Sequence, residues 1–179
     1  MSQPPPSQPP RRPSVLGDPL RTTLVLLAII AVLAGAGRLL SAPPGNPVPA
    51  VDYEPALADA QDVAPYDVLA PADLPEGWRA TSVRYLSGGA LWHLGILTDD
   101  ERYIGIEQSP DSVEALVEEF AQEAEPEGSR EVGGETWELL RTEDRLTLVR
   151  RADGATTLVT GTASQATMED FVAGLSAGG

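Results

Sequence analysis

From Trp78 onward, apolar and polar residues alternate with a period of two, which predicts half-buried strands. Arg79 to Leu86 is the first strand and Ser87-Gly88-Gly89 its turn. Leu91 to Thr98 is the second, with Trp92, Leu94 and Ile96 on one face. Asp99 to Arg102 makes a polar turn, and Tyr103 to Gln108 is the third strand, with Ile104 and Ile106 on one face. Turns this short join antiparallel neighbours. The period then lengthens to that of a helix. Ser109 is the expected N-cap and Pro110 the first helical residue. Val113, Leu116, Val117, Phe120 and Ala124 fall on one face, and Pro126 and Gly128 end the helix. Strands resume with Glu131-Val132, which leads into a Gly133-Gly134 turn. Thr136 to Arg141, Arg145 to Arg151 and Ala155 to Thr160 follow. Thr162 and Gln165 have the spacing of a capping box opening a last helix, with Met168, Phe171, Val172 and Leu175 on its apolar face. The expected fold class is α+β: an antiparallel sheet of six to seven strands packed with two amphipathic helices.

The N-terminal part follows other rules. Residues 1–21 are proline-rich and polar, which predicts a disordered tail. Residues 22–37 are sixteen uncharged residues between Arg21 and Arg38. Extending the helix through residue 42 gives about 31 Å at ~1.5 Å per residue, enough for a bilayer core. Arg11, Arg12 and Arg21 precede the run and only Arg38 follows closely, so the N-terminus is expected in the cytoplasm and the rest outside it, at the cell membrane. A cleaved signal peptide ending near Ala34-Gly35-Ala36 is the competing reading. Residues 43–75 hold eight prolines and read as a semi-rigid spacer with one short helix around Pro55 to Asp62. The exported domain then spans residues 76–179.

Charge sharpens this division. The chain has 179 residues, 12 Lys+Arg against 27 Asp+Glu, and a net charge of -15. Residues 39–179 carry 8 of the arginines and 26 of the acids, or -18. Such a domain disfavours nucleic acid, which requires basic surface, and is repelled by anionic headgroups. The bilayer is expected to be met through residues 22–42 alone. Cysteine is absent and His93 is the single histidine, which removes thiol nucleophiles, disulfides and multi-histidine metal sites. All basic residues are arginine, a trait of composition rather than of function.

Candidate chemistry is sparse. His93 lies on the strand face opposite Trp92, Leu94 and Ile96 and is expected half-exposed. Ser87 is its nearest sequence partner for a Ser–His arrangement, with no nucleophile-elbow motif present. Glu107 and Glu138 both fall in strands and could be imagined as a glycosidase-like pair. Asp99-Asp100-Glu101 lacks the spacing of a calcium loop, and no phosphate-cradling or dinucleotide motif is present. No catalytic residue, metal site or cofactor is therefore expected. The ligand or interaction candidates are Trp78, Trp92, His93, Tyr103 and Trp137. Aromatic side chains on a sheet are nonetheless more often core than groove. Trp78 is expected to pack where Leu74-Pro75-Glu76-Gly77 delivers the chain into the first strand.

Several segments together resemble an uncharacterised actinobacterial family, domain of unknown function 4245. They are the single N-terminal apolar segment, Leu74-Pro75-x-Gly77-Trp78-Arg79, Trp92-His93-Leu94-Gly95, Tyr103 to Ser109, Gly134-x-x-Trp137 and Val159 to Ser164. The resemblance covers roughly residues 20–176 and leaves out the proline-rich start. It implies a high-GC Gram-positive host and a membrane-anchored external domain. It carries over no assigned catalytic residue and no assigned cofactor. By analogy, the fold is expected to be a Mog1/PsbP-like sandwich. The expected function is display of an acidic interaction or ligand-binding module in the cell envelope, meeting an envelope protein or a small ligand. The alternatives are an exported hydrolase and a carrier of an apolar envelope ligand.

Overall fold

The structure, a computed structural model, describes residues 48–177. The tail, the apolar segment 22–42 and the first residues of the spacer lie outside the described residues. Among the described residues no helix is long and apolar enough to cross a membrane.

The architecture is α+β. Seven strands form one antiparallel sheet: β2 (Arg79–Leu86), β3 (Leu91–Leu97), β4 (Tyr103–Ser109), β5 (Glu125–Val132), β6 (Glu135–Arg141), β7 (Leu146–Ala152) and β8 (Ala155–Gly161). Their spatial order is β2-β3-β4-β8-β7-β6-β5. Two meanders thus meet in the middle, where β4 pairs with β8. Two short strands, β1 (Leu69–Pro71) and β9 (Leu175–Ala177), pair separately. Three helices complete the unit: α1 (Glu54–Val63), α2 (Val113–Phe120) and α3 (Gln165–Ala173).

Each sheet face has its own core. The first face carries Trp92, Leu94, Ile96, Ile104, Ile106, Leu139, Leu148 and Val159. It packs with Ala60 of α1 and with Met168, Phe171 and Val172 of α3. The second face carries Leu140, Val149 and Leu158, covered by Leu116 of α2. The central strand β8 is buried along its whole length. Its threonines therefore need internal partners: Thr160 accepts a hydrogen bond from the Thr147 hydroxyl at 2.9 Å, and the Thr156 hydroxyl donates to the Asp111 carbonyl at 2.6 Å.

The structure departs from the expectations in four places. First, the expected spacer reaches into the folded unit. Tyr53, Ala60, Tyr66, Val68 and Ala70 are buried in the first core. Proline density did not prevent this, because Pro55 sits in the first turn of α1 and Pro71 ends the short strand β1, positions where a missing N–H is tolerated. Second, α2 is capped by Ser112, whose Oγ accepts from the Ala115 N–H at 3.3 Å, not by Ser109. Ser109 instead ends β4, paired with Thr156. Third, β5 begins at Glu125, so the strand contains the Pro126 and Gly128 expected to break structure. It is an edge strand with a register shift at those residues, the setting in which proline and glycine are tolerated. Fourth, α3 is capped by Ser164 rather than Thr162. Thr162 prolongs the β4–β8 pairing, with its N–H on the Tyr103 carbonyl at 2.9 Å and its Oγ1 accepting from the Tyr103 N–H at 3.1 Å.

Candidate functional site

Ser82, His93 and Glu107 come from three neighbouring strands and meet on the second face. In the register, Arg84 lies opposite His93, and His93 opposite Glu107. A register shift between Ala80 and Ser82 in β2 carries Ser82 opposite Gly95, diagonal to His93. The Ser82 Oγ is 2.8 Å from the His93 Nε2, and the His93 Nδ1 is 2.5 Å from the Glu107 Oε1. An ionised carboxylate only accepts. With Glu107 ionised and the imidazole neutral, Nδ1 carries the ring proton and Nε2 is left to accept from the Ser82 hydroxyl. Contrary to the expected half-exposure, His93 is 5% and Glu107 4% exposed. Among the described residues the Oε2 of Glu107 has no hydrogen-bond partner, so His93 alone answers this buried acid.

Glycines shape the floor beside the relay. Gly95 and Gly105 lie opposite each other, and the Tyr103 ring lies over both. A Cβ at Gly95 would stand 3.1 Å from the Tyr103 hydroxyl oxygen, and one at Gly105 only 2.7 Å from it. The Cβ at Gly95 would also collide with the Ser82 Oγ. Burial, and next the negative charge of Glu107, raise the Tyr103 pKa above that of an ordinary phenol. The hydroxyl therefore keeps its proton and stays a donor at neutral pH.

Ser87, the sequence neighbour considered for His93, sits in the β2–β3 turn, and Ser82 takes the role of partner. Glu138 does not join Glu107. Leu158 and Val149 stand between them in one row across the sheet. Three strand spacings make roughly 14 Å, beyond the carboxylate separations of glycosidases. Ser82 was missed because serine within an alternating strand carries no local signal; its partnership depends on the β2 bulge.

A second feature surrounds Trp78. Two adjoining depressions, of about 590 Å³ and 300 Å³, share Trp78 and Thr167. The larger is polar, with Asp99, Asp100, Arg102 and Ser164 on its walls. The smaller is lined by Pro71, Pro75 and Phe171, with Asp73 and Asp170 beside them. Trp78 stacks on Phe171, with ring centroids 6.1 Å apart and planes at 30°. The turn before it needs Gly77 at φ +83, where any Cβ would also press on Asp99.

The other aromatic candidates sit elsewhere. Trp92 is wholly buried in the first core. Trp137 is 3% exposed, with the Arg150 guanidinium 5.1 Å above its ring. Neither reaches the Trp78 groove. Among the described residues, no group of three or more His, Asp or Glu converges in a way that could hold a metal ion.

The profile of the family described as "Protein of unknown function (DUF4245)" matches residues 11–175, and the chain belongs to that family. Among solved structures, MucB in complex with MucA(peri) is similar at 12% identity and a TM-score of 0.36. That match covers 62% of this chain and 36% of that one, so it spans little more than a third of MucB. No curated protein matches the sequence.

Proposed function

We propose that the chain is a single-pass membrane protein whose acidic α+β domain stands outside the cytoplasm and binds a basic segment of another envelope protein along the Trp78 groove. The carrying observation is the groove's lining: a Trp78–Phe171 stack flanked by Asp73, Asp99, Asp100 and Asp170. Lysine and arginine have apolar stems and charged heads. Their stems suit the rings, and their heads suit the carboxylates and the ring faces. The surrounding domain carries 26 acids and 8 arginines, a field that speeds encounter with a cationic partner. The two carboxylates beside the smaller depression favour this occupant over a purely apolar ligand. The anchoring rests on residues 22–42 and the arginine asymmetry around them.

The test uses the full chain in detergent with a tryptophan-free nona-arginine peptide as probe. Calorimetric titration gives the affinity, which is expected to weaken with salt and by at least tenfold in Trp78→Ala or Asp170→Asn, and binding is expected to change the fluorescence of Trp78. Unchanged affinity in both variants would refute the groove. Carbonate extraction of native membranes tests the anchor: the chain is expected to stay with the lipid, and release into the supernatant would refute it.

A further inference from the structure

The Ser82–His93–Glu107 relay is not used by the reading above. Its two contacts, 2.8 Å and 2.5 Å, run in the order hydroxyl, imidazole, carboxylate. That order makes a serine nucleophilic when the imidazole is held in one tautomer. Burial of the acid and the lack of another partner for its Oε2 leave Glu107 committed to His93. Ser82 itself is half-buried and lies on the edge strand β2. A fourth group stands beside them. The Tyr103 hydroxyl and the Ser82 Oγ both crowd the point where a Cβ on Gly95 would stand, so the two oxygens face the same spot.

From these four side chains we propose that the domain hydrolyses esters of short acyl groups, with Ser82 as nucleophile, His93 as general base and acid, Glu107 as positioning residue and Tyr103 as oxyanion donor. The floor of Gly95 and Gly105 is shallow, because the Tyr103 ring already occupies it, and this limits the acyl group to a small one. In the first step the Ser82 Oγ bonds to the acyl carbon while its proton passes to the His93 Nε2. The carbonyl oxygen takes the negative charge and accepts from the Tyr103 hydroxyl. The bond to the leaving alkoxide then breaks, and Nε2 returns the proton to it as the alcohol departs. Water repeats the sequence on the acyl-serine: it attacks the carbon, gives a proton to Nε2, and the Ser82 Oγ leaves and recovers that proton. The carboxylic acid is released, and no oxidant, metal or further reactant is consumed.

The experiment treats the full chain in detergent with an alkyl fluorophosphonate and reads intact mass, followed by peptide mapping. One adduct per chain on Ser82 is expected, with fluoride released. Ser82→Ala should abolish it, and His93→Gln should slow it at least 100-fold. Tyr103→Phe should slow p-nitrophenyl acetate turnover by roughly the 10²-fold typical of one lost oxyanion donor. Thermal melts establish that each variant is folded. Should a variant fail to fold, the mapped adduct on the unaltered chain decides by itself. A hydroxyl that merely closes a buried hydrogen-bond network gains no reactivity. An unlabelled chain, an adduct away from Ser82, or equal rates in folded His93→Gln would overturn the proposal. Groove binding by the nona-arginine probe is read separately, so either proposal can fail alone.

Discussion

Gln108 offers the most direct test of whether residues 64–71 belong to the fold or merely lead to it. Its side chain is 3% exposed and bridges the sheet to that segment. The Oε1 accepts from the Leu69 N–H at 2.9 Å, and the Nε2 donates to the Asp67 carbonyl at 3.0 Å. Gln108→Met keeps nearly the same length and volume, so little cavity is created. What is lost is the partner of two partly buried backbone groups. Each such orphan costs about 1–3 kcal/mol, and at part burial the pair should cost about 2–4 kcal/mol. The Tyr66 hydroxyl would remain, shared between the Gln108 carbonyl at 2.7 Å and the Ala90 carbonyl at 2.5 Å. The expected drop in melting temperature is roughly 10 °C for a domain of this size. Urea denaturation followed by tryptophan fluorescence gives the free energy, and limited proteolysis should reveal new cleavage between Val63 and Pro71. A change below about 0.5 kcal/mol, the scatter of ordinary surface substitutions, with no new cleavage, would refute the reasoning. The segment would then be the spacer that its prolines suggest.

Gly161→Ala should cost about 3 kcal/mol or leave the chain insoluble. Its Cβ would fall on the Tyr103 carbonyl oxygen and 3.1 Å from the Ile104 Cα, backbone atoms that cannot swing aside. Gly88→Ala, where a Cβ meets nothing within 4 Å, should stay within about 0.5 kcal/mol in the same melts. The Arg79 guanidinium holds the exposed Glu101 carboxyl below its ordinary value of 4.5, one of its nitrogens donating to both carboxylate oxygens at 2.8 Å. A carboxyl lowered by folding stabilises above its unfolded pKa, and that contribution disappears as pH falls through the folded one. Glu101→Gln should therefore flatten the stability profile below about pH 4.5 and lose its effect in high salt. An acid limb identical to that of the unaltered chain would refute this.

The strands and helices of residues 79–173 were readable because period two and the helical period are local properties of a chain packed against one core. The errors cluster at element ends. Ser109 and Ser112 are both competent caps, and Thr162 and Ser164 likewise. The β4–β8 ladder decided each choice by claiming Ser109 and Thr162 for the sheet. Pro126 and Gly128 read as a stop because sequence does not reveal that β5 lies at an edge. The spacer was misread for a related reason: proline density signals stiffness, while burial of Tyr53, Tyr66 and Val68 depends on a sheet face presented by residues far along the chain.

Sequence alone determined the α+β class, the division of charge and the family, since these rest on composition, periodicity and contiguous motifs. It also placed His93 on the face away from Trp92, because neighbours in a strand point to opposite sides. Tertiary structure decided what His93 touches. Ser82 and Glu107 are 11 and 14 residues away from it along the chain. They meet it through two antiparallel pairings and one bulge, and a one-residue slip in either pairing would turn a partner to the other face. The Trp78 groove has the same origin. Its walls come from the segment before β2, the β3–β4 turn and α3 with the residues leading into it, which only the folded chain brings together.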